Sequence, residues 1–235
     1  MTKKTLLSWS SGKDSAWALY TLQHNPEIEL VGLFTTINKK YSRAAMHSTR
    51  LELLYAQADA AGLPLEIIEL PNPCSGEDYQ AIMRTFINKC ILNKIECIAF
   101  GDLFLEDIRK YRVEQLKDTR IEPIFPVWLN IDKLKKTKSS ATVKLAEQML
   151  SAGIETYISC INLKKLPKRF VGRKWTKELI SELSEGCDCC GENGEFHTVA
   201  TGGPMFRKTI PIRIGEIVER DGYAFADIIP ESCQS

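Results

Sequence analysis

The stretch Ser8-Trp9-Ser10-Ser11-Gly12-Lys13-Asp14-Ser15 constrains the fold of this chain more than any other. An apolar run, Thr5-Leu6-Leu7, precedes it and predicts a first β-strand, and Ala16-Trp17-Ala18-Leu19-Tyr20 follows as the opening of a helix. A strand, a tight turn of small residues and a helix N-terminus build an anion site. The first helical N–H groups lack intrahelical acceptors, and the helix dipole is positive at that end. Ser10, Ser11 and Ser15 add hydroxyls, Gly12 admits close backbone approach, and Lys13 brings a positive charge. Such chemistry suits a pyrophosphate. Simple helix capping would not call for Lys-Asp inside the turn, and the single glycine, with Asp14 after Lys13, departs from a Walker A loop.

At 235 residues the chain can bury a sizeable core as one large or two small domains. Its 44% hydrophobic and 26% charged residues are ordinary for a globular protein. A formal net charge of +1 supplies no global field for nucleic acid. Basic runs at Lys133–Lys138 and Lys164–Lys174 are interrupted by apolar residues and read as solvated surface. Met1-Thr2-Lys3-Lys4 leads straight into the first strand, with no signal-peptide core, and no run reaches the ~18 apolar residues of a membrane span. With eight cysteines and no secretory signal, free thiols and a cytoplasmic location are expected.

Strand and helix signals alternate through the first half. Leu30–Thr35, Leu65–Leu70, Cys97–Phe100 and Ile121–Phe125 predict four more strands. Between them, Leu51, Leu54, Tyr55, Ala58 and Ala61 recur at helical spacing, as do Tyr79, Ile82, Met83, Phe86, Ile87, Cys90 and Ile91, and Glu106–Lys117 is helical in pattern. Five strands separated by helices predict an α/β, Rossmann-like parallel sheet. Ligands of such sheets bind beyond the strands' carboxyl ends near the switch in strand order. The phosphate loop, His47 and Gly101-Asp102 should share that edge. The second half reads as a smaller α+β domain: a helix over Leu134–Leu150, a strand over Thr156–Ile161, a short helix over Trp175–Leu183, and antiparallel strands at Phe196–Val199, Ile210–Ile212 and Tyr223–Ala226. A boundary is expected near Pro126, giving domains of 1–126 and 127–235.

A second constellation is Cys187-Asp188-Cys189-Cys190-Gly191-Glu192-Asn193-Gly194-Glu195-Phe196-His197-Thr198. Two glycines bracket a turn that presents two carboxylates and an amide. Such a loop can hold a cation, orient an amine, bind ribose hydroxyls, or simply cap its own polar groups. Its cysteines lack Cys-x-x-Cys spacing, so free thiols are expected rather than a metal site.

Residues 10–15 match five of six positions of the Ser-Gly-Gly-Lys-Asp-Ser loop of the N-type ATP pyrophosphatases, or PP-loop enzymes, with Ser11 at the second position. Together with Phe100–Arg109, Tyr111-Arg112, Phe125–Trp128, Cys190–Thr198 and the tail from Gly215 to Pro230, they make the chain resemble the diphthine–ammonia ligase family, in a bacterial-type branch. The resemblance implies a HUP-type (adenine nucleotide α-hydrolase) fold, ATP and Mg²⁺ as cofactors, and a smaller domain that helps define the substrate site. It implies a reaction in which ATP adenylates a carboxylate, pyrophosphate leaves, and ammonia displaces AMP to form an amide. Eukaryotic and archaeal members act on diphthine. This chain departs from them at Met46-His47-Ser48-Thr49-Arg50, at Gly101–Glu106, and at Cys189, where the family commonly has proline.

Carried onto this sequence, the resemblance gives Ser8, Ser10, Ser11, Gly12, Lys13 and Ser15 to the nucleotide phosphates. Asp14 would act through Mg²⁺ or by fixing the loop. Thr35 and Thr36 would meet the adenosine. Gly101 and Asp102 would serve Mg²⁺ or ribose, and His47 the substrate or α-phosphate. Arg109 and Arg112, on consecutive helical turns, would bind a carboxylate, with salt bridges to Glu106 or Glu114 as the alternative. Glu192, Asn193 and Glu195 would orient acceptor or ammonia, with Lys13, Asp14, Glu192 and Glu195 as the catalytic set. The expected partners are a small-molecule or protein-borne carboxylate and ammonia, with a homo-oligomer compatible and neither nucleic acid nor membrane expected. Two other functions compete. A PP-loop sulfurtransferase or lysidine-type tRNA modifier usually adds a catalytic cysteine pair or a basic extension, against which the near-neutral charge speaks. A nucleotide-sensing protein without turnover would not require the intact Lys13 and the second carboxylate loop.

Overall fold

The computed structural model describes residues 2–41, 43–44, 49–130, 138–183 and 186–231. The first half contains β1 (Lys3–Ser8), α1 (Lys13–Gln23), β2 (Ile28–Asn38), β3 (Arg43–Ala44), α2 (Leu51–Ala61), β4 (Leu65–Leu70), α3 (Gly76–Leu92), β5 (Cys97–Ala99), α4 (Glu106–Leu116) and β6 (Glu122–Ile124). The expected strands form a parallel sheet in the order β4-β2-β1-β5-β6. Chain order reverses between β1 and β5, so the loops after these two strands flank the switch point. One feature departs from a purely parallel sheet. β2 outruns β1, whose last partner is Phe34, and the two-residue β3 pairs antiparallel with Ile37 and Asn38 on the edge β1 leaves open.

Period-2 alternation along the strands feeds two cores. On β2, Leu33 and Ile37 face the core shared with α1, α2 and the second half, while Phe34 faces α3 with Ile68, Met83, Phe86 and Ile87. On β5, Ala99 joins the first core and Ile98 the second. A Ser75–Asp78 capping box starts α3, and Gly62, at φ +69°, ends α2 in the left-handed region. On α2 the expected stripe is modified. Tyr55 is half exposed, and the fully buried Gln57 faces inward instead, because its amide has three acceptors and donors to satisfy there.

The second half contains α5 (Lys138–Ser151), β7 (Glu155–Asn162), a 3₁₀ turn at Lys168–Phe170, α6 (Lys177–Ser181), β8 (Phe196–Gly202), β9 (Ile212–Arg220) and β10 (Tyr223–Pro230). The last four strands build an antiparallel sheet in the order β8-β7-β10-β9. The expected beginning of α5, before Lys138, lies outside the described residues, and Ile210-Pro211 precede β9 instead of opening it. The two halves share one continuous core, which runs from Leu7 and Leu19 to Phe170, Trp175 and Ala224. No helix among the described residues is long and apolar enough to cross a membrane.

Candidate active site

The phosphate loop is fixed from three sides. Ser11 sits at φ +72°, a left-handed conformation that glycine adopts at no steric cost, which accounts for a glycine in the related motif at this position. Its carbonyl accepts from the Ala200 N–H at 2.8 Å and from Gln57 Nε2 at 3.1 Å. Gln57 Nε2 also donates to the Ala200 carbonyl, and its Oε1 accepts from Trp9 Nε1 at 2.8 Å. One buried, satisfied amide thus ties α2, the loop and β8 together. The Ser11 hydroxyl pairs with Thr49 Oγ1 at 2.7 Å in the interior. Ser10 and Ser15 join their hydroxyls at 3.1 Å, and Ser15 donates to the Gly12 carbonyl.

α1 begins with Gly12 as N-cap and has no side-chain cap. Its first-turn donors are therefore left to other partners, and the Lys13 N–H finds Thr198 Oγ1 at 3.0 Å. Gly101, after β5, presses on the same turn. A Cβ there would lie 3.0 Å from the Ser15 nitrogen and 3.1 Å from the Asp14 carbonyl. This is why the switch-point loop carries glycine before Asp102.

Lys13 is 3% exposed and folds back on Asp14, with Nζ 2.9 and 2.7 Å from the two carboxylate oxygens. Phe196 lies 5.9 Å beneath the ammonium. Burial opposes the charged form, but Asp14, Cys190 and Glu192 outweigh it and hold the lysine above its ordinary pKa. Glu192 responds in the opposite way. Burial and the charge of Asp14, relieved in part by Lys13 and reinforced by Asp188 and Asp102, push its carboxyl up to about 8. Asp102 is also raised, by burial first, against the pull of Arg112. Its Oδ2 is buried without a hydrogen-bond partner, as is Arg112 Nε 3.8 Å away, an ion-pair distance too long for a hydrogen bond. Lys13, Asp14, Asp102 and Glu192 thus form one electrostatically coupled group.

Two cavities stand out, and Asp102 of this group lines the first. One, of about 440 Å³, is lined by Ser8, Ser10, Thr35 and Thr36 at the strand ends, by Asp102 and Arg112, and by the aromatic wall of Phe34, Phe86 and Phe100. Arg112 stacks on Phe100 with its guanidinium carbon 4.9 Å from the ring centroid. The other, of about 550 Å³, lies over the second sheet. Ala44 and His197 line both.

The remaining sequence candidates are placed differently. Glu195 is buried and closes its own turn: Oε1 accepts from the Asp188 N–H and Asn193 Nδ2, and Oε2 from the Asn193 N–H. Both residues therefore shape the loop that carries Glu192. Arg109 packs on Phe125 and Trp128, at 5.2 and 4.7 Å, and lines neither cavity. His47 lies outside the described residues. Asp188, Cys189 and Cys190 bring ligand atoms within 4.8 Å of one another. Both Asp188 oxygens already accept hydrogen bonds, from Thr142 Oγ1 and the Cys190 N–H, and the Cys190 thiol donates to the Thr142 carbonyl. Sequence reasoning missed His197 and Gln57. A polar residue on the apolar stripe of α2 was the available signal for Gln57, and the alternation Phe196-His197-Thr198 was the one for His197.

A family model described as the diphthamide synthase N-terminal domain matches residues 3–119, and one described as the diphthamide synthase C-terminal domain matches residues 141–229. The chain belongs to the diphthamide synthase family. Within this family's curated relatives, human diphthine–ammonia ligase is 25% identical over 189 residues, covering 74% of this chain and 67% of the human protein. The bovine diphthine–ammonia ligase is 25% identical over 161 residues, covering 66% of this chain and 56% of its own. The chain thus spans between about half and two thirds of the length of these relatives. Among solved structures, a U34-tRNA thiolase of Methanococcus maripaludis carrying a 4Fe–4S cluster aligns with 16% identity and a TM-score of 0.37, over 64% of this chain and 58% of its own. The family match covers both the phosphate loop and the Glu192 loop, the two segments that the fold brings together.

Proposed function

We propose that this chain is an ATP-dependent ligase that forms AMP and pyrophosphate while amidating a carboxylate with ammonia. The observation behind this reading is that the buried Lys13 of the phosphate loop pairs with Asp14 and gives its N–H to Thr198, on the strand that follows the Glu192 loop of the other half. The reaction class is taken from the name of the human and bovine relatives, and the acceptor is left as a carboxylate.

The residues fit the nucleotide and its metal. Ser8, Ser10, Thr35 and Thr36 line a cavity of about 440 Å³, large enough for a nucleoside, and the adjoining helix N-terminus lacks a side-chain cap. The orphaned Oδ2 of Asp102, beside Asp14, is a hard oxygen donor of the kind Mg²⁺ takes. Asp14 and Asp102 would hold the ion, which when bound neutralises charge on phosphate oxygens. ATP would supply the adenylyl group that activates the carboxylate.

This chain's own groups then have separable tasks. Lys13, held charged by Asp14, exchanges that partner for the departing pyrophosphate and stabilises the charge developing there. Arg112, which lines the nucleotide cavity with its Nε 3.8 Å from Asp102, adds a second cation. Glu192, with a pKa of about 8, is poised near working pH to take a proton from ammonium and deliver the neutral amine. The Glu195–Asn193 turn shapes the loop that carries Glu192, and Phe196 packs beneath the Lys13 ammonium.

Glu192→Gln tests this division. The variant should bind a fluorescent ATP analogue as the parent does, yet form amide about 10²-fold more slowly, with the pH dependence of kcat near 8 removed. Loss of nucleotide affinity with an unchanged pH profile would assign Glu192 to the ATP site instead.

A further inference from the structure

The nucleotide cavity carries two polar side chains that the chemistry proposed above leaves unused. Most of what α3 and α4 contribute to its lining is apolar: Met83, Phe86 and Ile87 from α3, and Ile108 and Leu116 from α4. Met83, Phe86, Ile87 and Leu116 belong to the second core, together with Phe34 and Phe100 of the same cavity wall. Arg112, also on α4, is matched to Asp102 at 3.8 Å. The other polar residues that these helices give to the lining are Tyr79, in the first turn of α3, and Gln115, three residues beyond Arg112. An apolar pocket with a few placed polar groups is how proteins hold and orient a flat organic ring.

Tyr79 and Gln115 are linked through Tyr111. Tyr111 and Gln115 lie four residues apart on α4 and share one face, and Gln115 Nε2 donates to the Tyr111 hydroxyl at 2.8 Å. Burial first, and then Tyr79, raise the Tyr111 phenol, against the pull of Arg112 and of the hydrogen bond with Gln115. A hydrogen bond that raises a phenol is one that it donates, and one that lowers it is one that it accepts. The chain therefore has a direction: the Gln115 amide donates to Tyr111, and Tyr111 donates to Tyr79. With its nitrogen anchored in this way, the amide cannot exchange its two ends without breaking the chain. Its carbonyl oxygen is left as an acceptor, and the Tyr79 hydroxyl hydrogen is left as a donor.

We propose that Gln115, anchored by Tyr111 and assisted by Tyr79, selects the base of the bound nucleotide, taking a purine with a 6-amino group and rejecting one with a 6-oxo group. Gln115 Oε1 accepts a proton of the exocyclic amine, the Tyr79 hydroxyl donates to a ring nitrogen, and the ring itself lies among the apolar side chains of the wall. A 6-oxo purine would set one acceptor against another and leave both without a hydrogen bond in a desolvated pocket. This deepens the nucleotide-site reading and rests on it, whereas the hydrogen-bonded chain rests on contacts within the protein. Gln115 is half-buried, and Leu116 is the buried residue of α4, so folding places little demand on the glutamine.

Competition binding on the intact chain tests the assignment. The β,γ-imidotriphosphates of adenosine, guanosine and purine riboside, the last lacking any 6-substituent, each displace a fluorescent adenosine β,γ-imidotriphosphate. The adenosine compound should bind about tenfold more tightly than the purine riboside compound and about a hundredfold more tightly than the guanosine compound. In Gln115→Leu the preference for adenosine over purine riboside should disappear. Gln115→Glu, which keeps an acceptor, should retain it, and thermal denaturation checks that both variants are folded. A parent chain that binds the adenosine and purine riboside compounds equally, or a folded Gln115→Leu chain that keeps the parent's preference, overturns the assignment and leaves the nucleotide site standing. A parent chain that binds none of the three compounds contradicts the nucleotide reading itself, and the base assignment with it.

Discussion

The two halves of the molecule build their functional surfaces by different means. In the first, the site lies on consecutive residues, because a strand end, a turn and a helix N-terminus are adjacent in the chain as well as in space. In the second, the cavity floor joins residues 160, 197, 218 and 225, which only strand register brings side by side. The difference teaches that backbone-built sites announce themselves as motifs, whereas sheet-face sites are written in pairing and bulges. The phosphate loop is a site of the first kind.

The largest expected effect comes from the first half. Lys13→Ala should raise the activation free energy of pyrophosphate release by about 3 kcal/mol, while ATP affinity changes much less. Stopped-flow pyrophosphate detection beside an ATP-analogue titration reads both. Equal losses in the two would make the lysine a uniform binder and blur the division.

Gly101→Ala sharpens the same point through the backbone. The new Cβ would meet the nitrogen of Ser15 and the carbonyl of Asp14, atoms that cannot swing aside, so α1's first turn must shift. A stability loss of about 1–3 kcal/mol with weakened nucleotide binding is expected in thermal denaturation and titration. Unchanged binding would show that the first turn of α1 does not form the cradle.

Much of the first half was legible in sequence for this reason. The five strands, the phosphate loop and Gly101-Asp102 followed from apolar runs and turn residues. The short β3 did not, because two residues carry no periodicity and exist as a strand only where β2 outruns β1. The Glu192 loop was visible as a constellation, but its internal roles were not. Glu195 looks like Glu192 in sequence, and only the fold shows that its oxygens are occupied by Asp188 and Asn193 N–H groups while Glu192 feels the charges of Asp14 and Lys13. Arg109 and Arg112 sit one helical turn apart, yet Arg109 stacks on Phe125 and Trp128 while Arg112 reaches the nucleotide cavity. The second cavity was beyond reach, since the Ser159 bulge that exposes Cys160 depends on partner strands far along the chain.

The smallest expected effect lies in the second half. Asp227→Asn removes the shared partner of Arg43 and Arg50 and should cost about 2 kcal/mol of stability at pH 7. Because the folded protein holds Asp227 below its ordinary pKa, this contribution is complete above the usual carboxylate range and lost as pH falls through the lowered value. Denaturant titrations should show the gap between parent and variant closing below about pH 4. ATP-analogue affinity should remain that of the parent. A gap that persists in acid would mean that Asp227 acts through packing instead of charge.

Product analysis tests the central claim most directly. The intact chain is incubated with α-labelled ATP, Mg²⁺, ammonium chloride and a protein-free metabolite extract, and the nucleotides are separated by chromatography. The account predicts labelled AMP with one equivalent of pyrophosphate, dependent on ammonium and on the extract. Labelled ADP with inorganic phosphate would contradict it.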